Sequence, residues 1–448
     1  MTPLPLLRHD NPDRIMAWRR GRAITVRHFL AEVATVAAAL RAVGPADGPV
    51  LNLCADRYRF TVGLAAALCQ GRISLLPPND TPALLRRLAA QHPGLAALTD
   101  GKAAPPPIPR IAYPETITHP AAAEAPAFPA DQIAAIAFTS GSTGDPMPQV
   151  KSWGSLVGST LGAGAALGIA GGEAVTLLGT VPQQHMYGLE STVLLALQHG
   201  IAMHAGRPFY PGDIAAALAE LPGPRLLVTT PIHLRALLAD PSGLPKLDFV
   251  LSATAPLAPQ TAAAAEAAFG APLHEIYGCA EAGQIATRRP VAGEAWQCLP
   301  GITLRQDEHG TWAQGDFLAK DALLADIIDL RAPDRFLLHG RLADLVNIAG
   351  KRTSLAHLNF QLNSIPGVLD GVFVMPEEVP DGVTRLTAFV VAPGLTAEAI
   401  LAALRSRVDR PFLPRPLRLV DALPRNATGK LPREAALELI ARSAAAGG

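Results

Sequence analysis

The sequence predicts an α/β protein in which a large N-terminal domain with parallel-type sheets is followed by a small α+β domain. Helical and strand-like segments alternate over roughly the first hundred residues, which is typical of parallel strands joined by crossover helices. Later apolar runs stop in hydroxyl residues and proline, and in open α/β sheets ligands gather where strands end. The pattern then restarts after residue 342, over a segment of about a hundred residues, a typical domain size.

The first part of the chain supplies the alternating elements. The spacing of apolar residues predicts, in chain order, a helix over 25–43, a strand over 50–54, a helix over 57–68, a strand over 74–77 and a helix over 81–90. The next segment, 100–130, is rich in proline and poorly patterned, which indicates an exposed connection. It leads into an apolar run over 133–138 that predicts another strand.

A loop of glycines and hydroxyl residues follows this strand. It consists of Thr139, Ser140, Gly141, Ser142, Thr143 and Gly144. Glycines let the backbone turn its N–H groups toward an anion, and the hydroxyls add donors, so the loop is able to hold phosphate. A polar turn after a buried strand is the alternative. A Walker loop fits poorly, because the nearest lysine, Lys151, lies seven residues beyond Gly144.

Three later segments end in residues that suit a ligand site. Strands are predicted at 174–179, 226–230 and 249–252, and the run from His274 to Glu281 is a further strand end. His185, after the first of these strands, is an ordinary turn histidine when considered alone. Glu281 is either a solvated carboxylate at a helix start or, if it faces the glycine loop, a magnesium ligand.

The remainder of the chain divides into two regions. Short, charged segments punctuated by glycine over 301–338 predict a small β-rich region. Beyond it the sequence predicts a helix containing Leu355, Leu358 and Leu362, strands near Val372, at 386–391 and near Leu417, and a helix over 396–408. We therefore divide the chain into domains at 1–342 and 343–448.

Composition excludes several classes of function. Lysine plus arginine and aspartate plus glutamate both total 38, so nothing indicates a nucleic-acid partner or an anionic membrane. The four cysteines have no C-x-x-C spacing, which favours reduced thiols in a cytoplasmic protein. The first residues lack the apolar region of a signal peptide. The uncharged stretch 154–172 carries too little apolar area for a membrane span and predicts a buried helix.

Four separated motifs resemble those of the adenylate-forming superfamily of acyl- and aryl-CoA synthetases, peptide-synthetase adenylation domains and luciferases. The glycine loop resembles the family's phosphate loop, and Tyr277-Gly278-Cys279-Ala280-Glu281 its Tyr-Gly-x-Thr-Glu motif. Gly340-Arg341-x-x-Asp344 with Gly350-Lys351-Arg352 is similar to the hinge region, and Pro424 to Arg433 to the C-terminal lysine loop. The motifs occur in the family's order and cover nearly the whole chain.

The resemblance implies a fold, a reaction and a set of site residues. The fold is a large multi-layered N-terminal domain joined by a hinge to a mobile C-terminal domain. A carboxylic acid attacks ATP to give acyl-AMP, and the thiol of CoA or of phosphopantetheine then displaces AMP. Charge neutralisation should dominate such a reaction between anions.

The resemblance assigns each of these roles to a particular residue of the chain. Lys430 bridges the carboxylate and the α-phosphate, and Glu281 binds Mg²⁺. His185 and Tyr277 line the acid pocket. The other implied nucleotide contacts are the glycine loop, Thr254, Ala255 and Pro256 at the adenine, Asp326 at the ribose, Arg341 at the ribose or phosphate, and Glu275, Gly278 and Arg352. In isolation Lys430 is also compatible with a solvated lysine in a turn.

The sequence departs from the family pattern at three places. The family's lysine after Gly-x-Pro is absent, so Lys151 is the candidate replacement; alanine replaces threonine at Ala280; and Ala343 stands at the hinge position. The lengthened loop up to Lys151-Ser-Trp153, the run 277–286 and the segment 207–214 resemble those of short bacterial members found with aryl-polyene pigment and fatty-acid-type pathways. Three hypotheses stay open: a ligase that makes aryl- or acyl-CoA, a synthetase that loads an acyl carrier protein, and a degenerate nucleotide-binding module.

Overall fold

The structure of the chain is a computed structural model that describes residues 3–9, 11–101, 108–120, 124–140, 146–169, 175–318, 320–341, 344–348, 351–375, 385–426 and 431–445. Within these residues it is a mixed α/β protein, as the sequence predicts. Two large sheets with parallel centres occupy the N-terminal part, and a small sheet with its own helices occupies the C-terminal part.

The elements of the first 170 residues are, in order, β1 (Leu4–Pro5), β2 (Ile15–Arg19), β3 (Arg22–Thr25), α1 (Val26–Arg41), β4 (Val50–Asn52), α2 (Arg57–Cys69), β5 (Ser74–Leu76), α3 (Pro82–Gln91), β6 (Ala96–Thr99), β7 (Arg110–Ala112), β8 (Ala127–Phe128), β9 (Ile133–Ser140), β10 (Pro146–Ser152) and α4 (Trp153–Ala166). Capping side chains define where two of these helices begin. Thr25 caps α1 by accepting a hydrogen bond from the His28 backbone N–H, and Ser152 caps α4 in the same way through Ser155.

The elements of the middle region are β11 (Thr176–Gly179), α5 (Met186–Gly188), a π-helical segment (Leu189–Leu194), α6 (Leu195–His199), β12 (Ala202–His204), α7 (Pro211–Glu220), β13 (Arg225–Thr229), α8 (Pro231–Leu238), β14 (Phe249–Ser252), α9 (Pro259–Phe269), β15 (Leu273–Cys279), β16 (Gly283–Arg288), β17 (Trp296–Cys298), β18 (Ile302–Asp307), β19 (Gly310–Gly315), β20 (Ala322–Leu324), β21 (Asp326–Ala332) and β22 (Arg335–Arg341). The three strands β18, β19 and β20 form a separate sheet, which confirms the β-rich region predicted over 301–338.

The C-terminal elements are β23 (Leu345–Ile348), β24 (Lys351–Ser354), α10 (Leu355–Asn363), β25 (Asp370–Val374), β26 (Thr387–Val391), α11 (Ala397–Arg405), a 3-10 turn (Arg410–Phe412), β27 (Leu417–Leu419) and α12 (Arg433–Ala445). Their apolar residues form a core of their own, which includes Leu358, Leu362, Phe373, Ile400 and Leu404. Burial of this separate core accounts for the restart of the apolar pattern in the sequence.

The first large sheet has six strands in the order β10-β9-β5-β4-β6-β7. Its centre is parallel, as predicted. Helices α2 and α3 are the crossover connections that return the chain, so that β4, β5 and β6 run in the same direction. One part differs from the prediction: residues 146–152 form an antiparallel edge strand on β9 and not a loop. Pro146 and Pro148 made a strand unexpected, but an edge strand tolerates proline since one side of it carries no partner strand.

The second large sheet has eleven strands in the order β21-β22-β17-β16-β15-β14-β13-β11-β12-β2-β3. Strands β15, β14, β13, β11, β12 and β2 run parallel, while antiparallel strands extend both ends. The stretch that the sequence assigns to a buried helix is α4, whose Trp153, Leu156 and Val157 lie in the main core. Among the described residues, no helix has the length and apolar character needed to cross a bilayer.

Candidate functional site

The carboxyl ends of three parallel strands lie side by side in the second sheet. Thr229 of β13 is in register with Ser252 of β14, which is in register with Glu275 of β15. The Tyr187 hydroxyl approaches the carbonyl oxygens of Thr229 at 3.1 Å and of Leu251 at 3.0 Å, so it ties α5 to these strand ends. His185 precedes α5 as its N-cap residue and is half-buried. The three apolar runs that end in polar residues thus reach the same edge of this sheet, where ligands gather in open α/β folds.

Glu275 supports the loop that follows β14. Its carboxylate is buried, accepts a hydrogen bond from the Leu257 backbone N–H at 3.0 Å and pairs with the Arg288 guanidinium at 2.6 Å. Burial raises the pKa of Glu275, and the charge of Arg288 opposes that shift. Both carboxylate oxygens therefore bind protein groups, and Glu275 fixes the loop containing the expected adenine contacts.

That loop contains a strained residue. Thr254 has φ +82°, in the left-handed region that a β-branched residue rarely adopts. Ala255 and Pro256, which follow it, are exposed. Strain of this kind persists only where surrounding contacts impose it and is concentrated at ligand sites, so the conformation supports a binding role for 254–256.

Tyr277, Asp326 and Arg341 come together although they are far apart in the sequence. The Tyr277 hydroxyl donates to Asp326 Oδ2 at 2.7 Å, and Asp326 at the start of β21 lies opposite Arg341 at the end of β22. The Tyr277 ring packs edge-on against Trp296 and Phe336, which holds its hydroxyl toward Asp326. Tyr277 therefore holds Asp326 beside β15, and the backbone of Arg341 lies opposite it.

Glu281 lies in the turn between β15 and β16, and its side chain is exposed. Gly278 closes this turn against the Gly283 carbonyl, where a Cβ would lie only 2.3 Å from the oxygen. The adjacent Cys279 thiol has its pKa raised to about 12, first by burial and then by the negative charge of Glu281, so it stays protonated at neutral pH.

The donor set at Glu281 fits magnesium held together with phosphates. No cluster of three or more histidine, cysteine or acidic residues that would hold a metal occurs in the described part of the chain. Mg²⁺ is commonly bound through one or two carboxylates plus substrate phosphates, so a single exposed carboxylate at this turn suits it.

Lys151 lies on the edge strand β10. Its side chain is buried, and its Nζ donates to the Glu281 carbonyl oxygen at 2.8 Å. The expectation that it replaces the missing phosphate lysine stays a prediction. Glu190 and Ser159 were not selected from the sequence, and their side chains are joined by a hydrogen bond of 2.8 Å. The available signal was an acidic residue, Glu190, within a long apolar run.

Several expected residues lie outside the described part. These are Gly141, Ser142, Thr143, Gly144 and Lys430, together with the side chains of Thr139, Ser140, Arg341 and Arg352. The backbone of Thr139 and Ser140 ends β9, and Arg352 pairs with Asn347 in the hairpin of β23 and β24. Their predicted contacts with the nucleotide stay predictions.

A parallel-centred α/β fold with a strained loop, a Tyr–Asp pair and an exposed carboxylate at neighbouring strand ends places a candidate site where open α/β sheets bind ligands. A family model described as AMP-binding enzyme matches residues 8–305, and the chain belongs to this family. The expected membership of the adenylate-forming superfamily is thereby confirmed.

Individual relatives agree with that assignment. The chain is 30% identical to a 4-coumarate–CoA ligase of Rhodobacter capsulatus over 66% of this chain and 74% of the relative. It is 25% identical to a sulfoacetate–CoA ligase of Cupriavidus necator over 94% of each chain. A benzoate CoA ligase structure from Burkholderia xenovorans superposes with a TM-score of 0.78 at 21% identity, covering 94% of this chain and 96% of that one. The expected enzyme class, an AMP-forming acid–thiol ligase, is confirmed.

Proposed function

We propose that the chain uses ATP to convert an aromatic or fatty carboxylic acid into an acyl-adenylate and then transfers the acyl group to the thiol of CoA. The observation that carries the proposal is the hydrogen bond from Tyr277 to Asp326 beside the strand ends, with the backbone of Arg341 opposite Asp326. A carboxylate is suited to accept hydrogen bonds from ribose hydroxyls. The 4-coumarate, 3-hydroxybenzoate and indoleacetate CoA ligases among the relatives favour an aryl acid.

The proposed chemistry consists of two displacements. In the first, an oxygen of the acid attacks the α-phosphorus of ATP, and the bond to pyrophosphate breaks. In the second, the thiol sulfur attacks the acyl carbonyl, loses its proton and displaces AMP. Both partners of the first step are anions, so positioning and charge neutralisation supply most of the rate.

Different residues of this chain have different roles in the proposed reaction. Lys430 neutralises the acid and the α-phosphate as a compact cation. Magnesium, bound by Glu281, would neutralise the phosphate oxygens. The glycine loop holds the β- and γ-phosphates, Thr254 to Pro256 the adenine, and Asp326 the ribose.

The acid pocket is proposed at the strand ends behind this nucleotide site. His185 is half-buried before α5, and Tyr187 closes the space between α5 and the ends of β13 and β14. An apolar ring or chain of the substrate would lie beside His185 and Tyr187, with its carboxylate toward Lys430 and the magnesium that Glu281 would hold. The association with aryl-polyene pathways belongs to the proposal and rests on the resemblance of the segments 145–153, 207–214 and 277–286.

The domain boundary is proposed at Leu342/Ala343. Because Lys430 is on the small domain, that domain must close on the large one for adenylation and rotate before thiol transfer. Replacing Lys430 by alanine should then abolish acyl-AMP formation and leave the reaction of supplied acyl-AMP with CoA within about threefold of the wild type. Equal loss of both half-reactions would contradict this assignment.

The direct test is acid-dependent exchange of labelled pyrophosphate into ATP across a panel of aryl and fatty acids, followed by thioester formation with CoA or with holo-acyl carrier protein. We expect exchange with aryl acids and saturation by CoA at lower concentration than by the carrier. Saturation by the carrier alone would establish the second candidate, a carrier-loading synthetase. Ala280, in place of a threonine, favours the third candidate, and absence of exchange with every acid would establish a degenerate module.

A further inference from the structure

Lys151 is turned into the protein although it lies on an edge strand. Its neighbour on β10, Val150, is 58% exposed, whereas Lys151 is 5% exposed. The ammonium is directed at the turn between β15 and β16, where it donates to the Glu281 carbonyl oxygen at 2.8 Å. An ammonium removed from water needs a compensating charge, so the residues around it decide its role.

Glu190 is a buried carboxylate whose negative charge raises the pKa of Lys151 against the effect of burial. It is 3% exposed in the π-helical segment, and its Oε1 accepts a hydrogen bond from Ser159 Oγ at 2.8 Å. Burial raises the pKa of Glu190 to about 7, and the positive charge of Lys151 opposes that shift. Lys151 and Glu190 are therefore two buried ionisable groups whose shared neighbour is the turn that carries Glu281.

The same buried groups support the other end of the Glu281 turn. Gly283 has φ +79°, and a Cβ there would lie 2.6 Å from Glu190 Oε1, so the carboxylate packs directly on the backbone. Next to it, the Gln284 backbone N–H donates to Ser159 Oγ at 3.2 Å. Lys151 thus holds the middle of the turn, and Glu190 with Ser159 holds its end.

We propose that Lys151 and Glu190 form a buried positioning pair that fixes the turn carrying Glu281, so that its carboxylate is set for the metal–phosphate site. Lys151 then acts through Glu281 and makes no contact with phosphate. The inference rests on the proposed function in one respect, which is the role of Glu281 as magnesium ligand. Mg²⁺ demands near-ideal octahedral geometry, so a shift of the turn should weaken metal binding before it weakens anything else.

The test measures ATP affinity with and without metal. Dissociation constants of ATP are determined by calorimetry, without acid, in EDTA and in excess Mg²⁺, for the wild type, Lys151→Met and Glu281→Gln. We expect Lys151→Met to bind metal-free ATP within twofold of the wild type and to lose about 10- to 100-fold in the presence of Mg²⁺. A lysine that contacts phosphate would instead weaken both constants equally, and that result would overturn the proposal.

Glu281→Gln distinguishes a failure of the positioning pair from a failure of the proposed function. If Glu281→Gln loses the magnesium effect and Lys151→Met keeps it, the positioning pair is wrong and the proposed function survives. If Glu281→Gln also keeps the full magnesium effect, the metal role of Glu281 in the proposed function is wrong.

Further variants guard against a general loss of folding. Ser159→Ala removes the hydrogen bond to Glu190 without exposing or unpairing a charge, and it should weaken binding about 3-fold in Mg²⁺ only. The double variant Lys151→Met/Glu190→Gln should lose less ATP affinity in Mg²⁺ than the product of the two single losses, because neither charge is left buried alone.

Lys246, which is exposed and donates to the Ala268 carbonyl at 3.2 Å, gives the matched control. Lys246→Met should leave both constants unchanged, and an equal effect of that variant would contradict a specific role for Lys151.

Discussion

At the scale of single residues, burial has changed the chemistry of His233. Its Nδ1 lies 2.9 Å from Thr230 Oγ1 and 3.2 Å from Thr180 Oγ1, and the ring is packed edge-on against Phe209. Burial lowers the pKa of His233 to about 4, and the positive charge of Arg207 adds to the effect. The ring is therefore neutral in the folded protein under physiological conditions.

This shift predicts a loss of stability in mild acid. In the unfolded chain the histidine binds a proton below about pH 6.5, whereas in the folded protein it does so only near pH 4, so stability falls as pH drops between these values. Between pH 7 and pH 5 the loss due to His233 should be about 2 kcal/mol. Urea unfolding at both values should show a decrease for the wild type that exceeds that of His233→Asn by this amount. The exposed His309 serves as control, and a His309→Asn variant that reduced the decrease equally would contradict the assignment.

At the scale of elements, the helices were more predictable than the contacts between them. The apolar spacing predicted a helix over 25–43, and α1 spans Val26–Arg41, because a half-buried helix must repeat its apolar residues with the helical period. Strand β10 was missed, since its stability comes from pairing with β9 and its own sequence contains two prolines. The contact of Lys151 with Glu281 joins residues 130 positions apart, and no local pattern encodes a contact of that range.

Helix α2 and the π-helical segment are joined by one buried arginine. Arg57, at the first position of α2, donates to Thr192 Oγ1 at 2.6 Å, to the Gly179 carbonyl at 2.8 Å and to the Val181 carbonyl at 3.1 Å. It therefore connects the first sheet's helices to the segment that contains Glu190. Single π-helical turns are frequently found at functional sites, where they need such external support.

We predict that Arg57→Met lowers the free energy of unfolding by about 3–5 kcal/mol, because three buried acceptors lose a charged donor. The measurement is urea unfolding followed by tryptophan fluorescence. Arg86→Met, on the exposed face of α3, is the matched control and should change stability by less than about 0.5 kcal/mol. If Arg57→Met remained within about 1 kcal/mol of the wild type, the bridging role would be wrong.

At the scale of the whole molecule, two parts of the chain meet at a shared carboxylate. Asp370 of β25 binds Arg425 through two hydrogen bonds of 2.6 and 2.8 Å, and Arg235 of α8 approaches the same carboxylate at 3.4 Å. The sequence predicted the two regions from the restart of the apolar pattern, but not this contact, since charged residues on the surface of each region carry no signal of their partner. Burial lowers the pKa of Arg235, as does the neighbouring Arg425, while Asp370 opposes both effects.

Two guanidinium groups on one buried carboxylate leave an excess positive charge, so the contact of Arg235 should break more easily than that of Arg425. In the proposed cycle the C-terminal domain rotates between the half-reactions, and Arg235 can reach Asp370 in only one of the two orientations. Arg235→Met should therefore change the ratio of the acyl-AMP formation rate to the thiol-transfer rate by about tenfold, the effect of losing about 1.4 kcal/mol in one orientation.

Single-turnover measurements of each half-reaction, the second with supplied acyl-AMP, give this ratio. Arg289, which pairs with Glu266 at 2.7 and 2.8 Å on the N-terminal part alone, is the control, and Arg289→Met should leave the ratio unchanged. A ratio for Arg235→Met that equals the wild-type value would show that the contact persists through the cycle or has no part in it, and either result would contradict the breakable contact inferred from the shared carboxylate.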